Sequence, residues 1–264
     1  MNDVAFDAVA LDYDREFTRT PLARLLRAQV WARLAAHFGA GDRVLELNCG
    51  TGEDAVWLAR RGVRVTATDS SPVMLRVAER KVRECGLGEW VETQILDLAA
   101  PRPTPDERMR FDGVLSNFGG LNCVPDLRPL AAFLAGRMKP CGAVIFVPMN
   151  RWCAWEIVWH LLHRQPRTAF RRLRRGGVEA RVGNDTLRVW YPSIKTLRQM
   201  LAPHFQLRRV IGLGVCLPPS YLEPVITERP RLLRWLQRFD QLTRNHWPFN
   251  RLADHVILEF ERLT

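Results

Sequence analysis

The stretch VLELNCGTGEDA, Val44 to Ala55, reads as an apolar strand running into a glycine turn and then a helix. Glycines at a helix N-terminus let the oxygens of a ligand, or a ribose, come close to the backbone and its free N–H groups. Within it, Gly50-Thr-Gly52-Glu-Asp-Ala55 satisfies the dinucleotide pattern GxGxxG/A, and Asp69 supplies an acid about twenty residues on. Glu46 argues against that ligand. It sets a carboxylate near the end of the strand, beside the loop a diphosphate would occupy, where two anions repel. A carboxylate there suits a ligand carrying an ammonium or a sulfonium.

On either side of this loop, short apolar runs alternate with helical patterns, the signature of βαβ units and a parallel sheet. Strands are expected at Arg43–Leu47, Val63–Thr68, Val91–Leu96, Phe111–Ser116 and Ala143–Pro148. Helices are expected between them at Glu53–Arg60, Pro72–Cys85 and Asp126–Met138, after an amphipathic stretch from Pro21 to Phe38. Beyond Met149 the texture changes to a Trp-rich helix, an Arg-rich loop, a short strand near Leu187–Trp190 and a helix at Ser193–Leu201. Two last strands, Phe205–Ile211 and His255–Phe260, should pair across an insertion that holds a helical stretch, Arg231–Leu242. No internal repeat is present.

The 264 residues, 47% hydrophobic, suffice for one large α/β domain or two small ones with a sizeable core, which excludes a disordered chain. Net charge is +11, and only Lys81, Lys139 and Lys195 among the 39 basic residues are lysines. Such a balance favours anionic partners without choosing among nucleic acid, membrane surface and acidic substrate. The six cysteines are scattered, with no CxxC and no Cys/His pair at zinc spacing, so neither a disulfide framework nor a metal site is expected. The start MNDVAFDAVALDYDRE is acidic where a secretory signal would be basic and then apolar, which leads to an expected cytoplasmic location.

The run Glu46-Leu-Asn48-Cys-Gly50-Thr-Gly52 resembles the first motif of the class I S-adenosylmethionine-dependent methyltransferases, an acid, an apolar residue and GxGxG. Asn48 stands where the family usually has its first glycine, and Asn is the non-glycine residue most tolerant of positive φ. The resemblance extends over roughly residues 6–148 and, more loosely, the C-terminal strand pair. VTATDSSPVMLRVA (Val65–Ala78), QILDL (Gln94–Leu98), FDGVLSNFGG (Phe111–Gly120) and the turn Met138-Lys-Pro-Cys-Gly142 fall in order at successive strand ends.

The resemblance implies a Rossmann-like α/β fold: a seven-stranded sheet, mostly parallel with an antiparallel C-terminal strand, and helices on both faces. It implies S-adenosylmethionine as cofactor, with S-adenosylhomocysteine as product. Asp69 would accept from the ribose hydroxyls with Ser70 beside it, Met74 would lie under the adenine, and Asp97 and Leu98 would hold its amino edge. Cys49, Gly50, Gly52 and Ser116 would complete the cofactor pocket around Glu46 and Asn48. FDAVALDYDRE (Phe6–Glu16) resembles the segment that folds over the cofactor in many small-molecule members; it would place Tyr13 near the methyl group and Arg27 near the cofactor carboxylate. One domain, 1–264, then comprises a helical cap 1–40, a core 41–149, a lid insertion 150–187 and a C-terminal part 188–264 with a second insertion 214–250.

Methyl transfer from a sulfonium is an in-line displacement that needs alignment and exclusion of water. Ser116-Asn117-Phe118-Gly119 lacks the Asn/Asp-Pro-Pro-aromatic run of amide and adenine methylases, and the clustered aspartates of the Mg-dependent catechol type are missing, so no metal is expected. Pro140-Cys141 imitates a cytosine-methylase nucleophile but falls in a turn. Asn117 is a candidate acceptor contact. Trp152, Trp155 and Trp159 share one helix face, which makes them either buried core or an acceptor wall. His160 and His163 on the same helix are candidate general bases, while the other histidines read as structural. Arg164, Arg167, Arg171, Arg172, Arg174 and Arg175 form a solvated face or a contact for an anionic membrane or acceptor. The function expected is methylation of a small or lipid-like metabolite, on oxygen and without metal. The alternative is an RNA-directed methyltransferase or an inactive nucleic-acid-binding module using the Arg-rich segment; without an RNA-binding domain or an exposed aromatic sheet, nucleic acid is the less favoured partner.

Overall fold

Strand β1 (Arg43–Leu47) sends Val44 to one side of a sheet and Leu45 and Leu47 to the other: Val44 joins a core with Leu34 and Leu115, whereas Leu45 and Leu47 join a second core with Val114 and Phe146. Successive strand residues point to opposite faces, so two separate apolar clusters mean a sheet covered on both sides. The computed structural model describes residues 4–102, 110–183, 185–219, 223 and 228–264.

Around β1 lie β2 (Arg64–Asp69), β3 (Val91–Ile95), β4 (Phe111–Ser116), β5 (Met138–Phe146), β8 (Phe205–Leu213) and β9 (His255–Arg262), in the order β3-β2-β1-β4-β5-β9-β8. The first five run parallel, β9 is antiparallel to β5, and β8 is antiparallel to β9. The expected Rossmann-like sheet with an antiparallel C-terminal strand is therefore the one formed. Helices α1 (Pro21–His37), α2 (Glu53–Ala59), α3 (Pro72–Glu84), α4 (Arg128–Arg137), α5 (Ala154–Leu162), α6 (Ile194–Leu201) and α7 (Pro230–Thr243) accompany it. Their starts are written in the sequence. Ser71 Oγ accepts from Met74 N at 3.0 Å ahead of Pro72, and Ser193 Oγ accepts from Thr196 N at 3.1 Å.

Two elements depart from the sequence reading. The segment Met138–Gly142, expected as a turn before the fifth strand, belongs to β5 itself as an irregularity in its pairing with β4. Phe111 pairs Met138 while Gly113 pairs Ala143, and Cys141 takes φ 60°. Second, the strand expected near Leu187–Trp190 is β7 (Asp185–Val189), and it has a partner, β6 (Val178–Val182), with which it forms a separate antiparallel pair. This hairpin, not α5, closes the cavity described next.

Candidate active site

The turn after β1 holds three residues at positive φ: Asn48 at 44°, Gly50 at 55° and Gly52 at 77°. At Gly52 a Cβ would lie 2.9 Å from the Cβ of Ala78, so a side chain there would wedge α2 from α3. Asn48 uses its side chain as well as its backbone: Nδ2 donates to the Asn117 carbonyl at 2.8 Å and Oδ1 accepts from Ser116 Oγ at 2.5 Å. Gly120 makes room for it, since a Cβ there would fall 2.2 Å from Asn48 Cγ. Asn in place of glycine thus ties the tips of β1 and β4 together. At the tip of β2, Asp69 accepts from Gly50 N and Ser71 N, both at 2.9 Å, and so fixes the turn against the neighbouring strand.

These tips open into a cavity of about 430 Å³. Asn48, Cys49, Gly50, Asp69 and Ser70 line it from β1 and β2, Met74 from α3, Asp97 and Leu98 from beyond β3, and Asn117 from β4. The N-terminal segment contributes Phe6, Tyr13 and Thr18, and α1 contributes Arg27. That segment is pinned down. Asp7 accepts from Ser71 Oγ, and Asp14 accepts from Thr51 Oγ1 at 2.6 Å and pairs Lys81 Nζ at 2.7 Å. Although burial raises the Asp14 carboxyl, Lys81 and Thr51 outweigh it and hold it below its ordinary value.

The floor is a charged cluster that sequence reading only half anticipated. Asp54, in the first turn of α2, accepts from Arg27 Nη1 at 2.5 Å, Trp31 Nε1 at 2.6 Å and Asn117 Nδ2 at 2.8 Å. Its signal was available in the acidic pair that follows the glycine loop. Arg27 also lies over the Phe118 ring, 4.9 Å from its centroid, so its charge is engaged from within the protein. Glu46 is buried and its Oε2 has no partner. Burial first, then the neighbouring Asp54, push its carboxyl well above the usual range. A buried acid without a partner beside a cavity is a group awaiting a cationic neighbour. The glycine cradle, the two cavity carboxylates Asp69 and Asp97, and this acid together fit an adenosyl sulfonium.

Residues 44–142 match the family model described as a methyltransferase domain. Over that stretch the chain is similar to S-adenosylmethionine-dependent methyltransferases. It is 33% identical over 140 residues to a demethylmenaquinone methyltransferase of Clavibacter sepedonicus, covering 53% of this chain and 54% of that one. It is 34% identical over 113 residues to a ubiquinone biosynthesis O-methyltransferase of Xylella fastidiosa (strain 9a5c), covering 42% and 44% respectively. The chain thus spans about half the length of the curated relatives it matches. The CcbJ methyltransferase of Streptomyces caelestis shares its fold over 100% of both chains, with a TM-score of 0.65 at 16% identity.

The far end of the cavity is apolar. Ala180 and Val182 of β6, Leu187 and Val189 of β7, then Trp190, face Val124 and Met149. None of these hairpin residues was anticipated as an acceptor contact. Three residues expected in the cofactor pocket sit behind its lining: Glu46 beneath the turn, Gly52 against α3, and Ser116 on Asn48.

The residues expected on the lid helix are elsewhere. Trp152, Trp155 and Trp159 do not line the cavity: Trp155 packs on the core, Trp152 is exposed, and Trp159 lies against His163 with centroids 4.3 Å apart. His160 and His163 are turned to their own helix end, with Nδ1 2.8 Å from Gln165 Oε1 and 2.7 Å from the Trp159 carbonyl. The physical reason is that α5 turns Glu156 and Trp155 toward the body, away from the cavity. Glu156 pairs Arg172 Nη2 at 2.7 Å and Arg171 Nε at 2.7 Å, and Arg172 also reaches Asp254 at 2.6 Å. Two arginines of the supposedly solvated run are therefore structural, and Arg172 is 5% exposed.

Proposed function

We propose that this chain is an S-adenosylmethionine-dependent methyltransferase acting on a small, largely apolar acceptor, and that the atom methylated is the oxygen of a phenol or hydroquinone. The carrying observation is the continuity of one cavity, with the glycine turn, Asp69 and Asp97 at one end and the hairpin wall of Leu187, Val189 and Trp190 at the other. When bound, the sulfonium supplies an electrophilic methyl group and a thioether leaving group. The chain's own residues orient and dehydrate. Asp69 and Asp97 accept hydrogen bonds at the adenosine end, Glu46 beneath the turn would ionise once a cation lies beside it, and the apolar wall keeps water from the line of displacement.

The acceptor class follows from what the wall lacks. Burial pushes the Cys123 thiol up to about 11 and raises the Tyr13 phenol, so neither lining group is a base near neutral pH. Tyr13 is then a positioning group for the methyl. An acceptor that ionises by itself suits this wall better than an aliphatic alcohol does. The names of the two relatives support a quinone-type acceptor by analogy, and one of the two, the ubiquinone biosynthesis O-methyltransferase, names oxygen.

The test is transfer of labelled methyl to a panel of phenols, hydroquinones, aliphatic alcohols and RNA. Turnover confined to the phenolic members, persisting in EDTA, with Trp190→Ala raising the acceptor KM roughly tenfold and S-adenosylhomocysteine affinity within about twofold, supports the reading. Methylation of RNA alone would overturn it in favour of a nucleic-acid substrate.

A further inference from the structure

Helix α7 presents two unlike faces. Inward, Leu236 and Asp240 are buried; Asp240 Oδ1 accepts from Val215 N at 2.6 Å and Cys216 N at 3.1 Å, and Oδ2 accepts from Gln29 Nε2 at 3.0 Å. Those bonds fix the rotation of the helix. Outward, Leu232, Trp235, Phe239 and Leu242 follow at spacings of three and four, so they form one stripe, and they are 37%, 54%, 41% and 68% exposed. Just beyond the helix end, Trp247 is 80% exposed. Arg231, Arg234 and Arg238 each precede a member of the stripe, which sets a basic band ~100° round the helix from it.

An exposed stripe of Trp, Phe and Leu is not what a face left in water carries. Its occupant is indicated by charge. From Arg229 to Arg251 the only acidic residue is Asp240, which is buried on the other side. A second copy docked about a two-fold axis would set arginine bands together with no acid between them. A bilayer bearing anionic headgroups offers what both bands need, acyl chains for the stripe and phosphates for the arginines. The insertion leaves the sheet at the carboxyl end of β8, which runs parallel to β1, and so starts from the same end of the sheet as the cavity. We infer that α7 docks the protein in the plane of an anionic membrane, with Trp235, Phe239 and Trp247 inserted at the headgroup boundary. Among the described residues no helix is long and apolar enough to cross a membrane, and this contact needs none. The benefit of such docking, access to a lipid-like acceptor, rests on the proposed function; the binding itself does not.

The experiment is flotation of the full chain with vesicles of phosphatidylcholine, alone or mixed with phosphatidylglycerol. Binding is expected to the mixed vesicles only, weakening as salt is raised. Trp235→Ser with Phe239→Ser should weaken it at least about tenfold, and Arg231→Gln, Arg234→Gln and Arg238→Gln together roughly hundredfold, at about fivefold for each surface arginine. Arg164→Gln with Arg167→Gln, on the run first considered, should leave binding unchanged. Calorimetry with S-adenosylhomocysteine on every variant shows that the fold is intact and separates failure of this inference from failure of the methyltransferase reading. Absence of wild-type binding, wild-type behaviour of the α7 variants, or loss of binding in the Arg164 and Arg167 pair would each overturn the inference. So would a wild-type dimer that Trp235→Ser converts to monomer, which would make the face a subunit interface.

Discussion

The two ends of the cavity are made by different kinds of contact. At the cofactor end, one turn supplies the shape: Asn48, Gly50 and Gly52 take positive φ in quick succession, and Asp69 from the neighbouring strand holds the result. At the acceptor end, Phe6, Val124, Met149 and the β6-β7 hairpin come from distant parts of the chain and meet only because other contacts bring them together. The first is rigid wherever β1 and β2 pair. The second depends on what anchors the hairpin: Trp190 exchanges hydrogen bonds with Asn122, both at 2.7 Å, and the charged anchor is Arg172, which lies beneath Tyr191, just after β7, with its guanidinium 5.2 Å from the ring centroid.

Removing that anchor is the strongest test of the contrast. Burial raises both Glu156 and Asp254, but Arg172, together with Arg171 at Glu156 and His255 at Asp254, outweighs burial and holds both carboxyls below their ordinary values. Arg172→Ala would leave Glu156 with only Arg171 and Asp254 with only His255, both carboxylates still buried, and a loss of about 3 kcal/mol is expected in denaturant melts at neutral pH. The sign with pH follows. A depressed carboxyl contributes stability above its unfolded value, 3.8 for Asp254, and that contribution is lost as pH falls toward the folded value. The wild type should therefore lose its advantage over the variant below about pH 4. A neutral-pH difference under ~1 kcal/mol would mean that apolar packing, and not this cluster, carries the acceptor wall.

At the other end the corresponding test is Asp69→Ala. It removes the acceptor of two backbone N–H groups and the expected partner of the ribose, so S-adenosylhomocysteine binding should weaken by roughly 1.5–3 kcal/mol, at least about tenfold, with the fold retained. Calorimetry checks it, and the Arg172 variant is the reference. If Arg172→Ala weakens the cofactor as much as Asp69→Ala does, the two ends are not independent.

The same contrast explains what could be read in advance. Strand β1 and the helix starts at Pro72 and Ile194 follow from residues within a few positions of each element, a glycine turn or a Ser-capped first turn, and they were legible. The cofactor half of the cavity inherits that locality. Strand β6 was not legible, because alternation in Val178–Val182 is only half-buried and the strand follows directly on the Arg-rich loop and Gly176-Gly177. The Trp stripe of α5 announced an apolar face but not which body would cover it. Arg172 looked like one charge in a run until Glu156 and Asp254, 16 and 82 residues away, closed on it. Asp54 lay in plain view beside the glycine loop, yet its three donors come from α1 and β4, and no local pattern names them.

The smallest effect is expected at Glu46, and it divides the fold from the ligand. Its carboxyl is buried next to Asp54 and Asp69, with Arg27 and Lys81 only partly offsetting them, so its folded-state value is raised well above 4.5. A raised acid works in the opposite sense to Asp254. Its contribution is fully present below the unfolded value and is lost as pH rises through the folded one, because ionisation then sets an unpaired anion among like charges. Glu46→Gln keeps the shape and removes that ionisation. Without cofactor, the variant should be more stable than the wild type at pH 8 by on the order of 1 kcal/mol, with the gap closing toward pH 5. With S-adenosylhomocysteine and S-adenosylmethionine the order should reverse, because a cationic ligand loses the anion that faces it, and the sulfonium should be affected more than the neutral thioether. Melts at the two pH values and calorimetry with both ligands decide it. A variant that is less stable at pH 8, or that binds the two ligands with unchanged preference, would show that Glu46 serves the packing of β1 and not the charge of the cofactor.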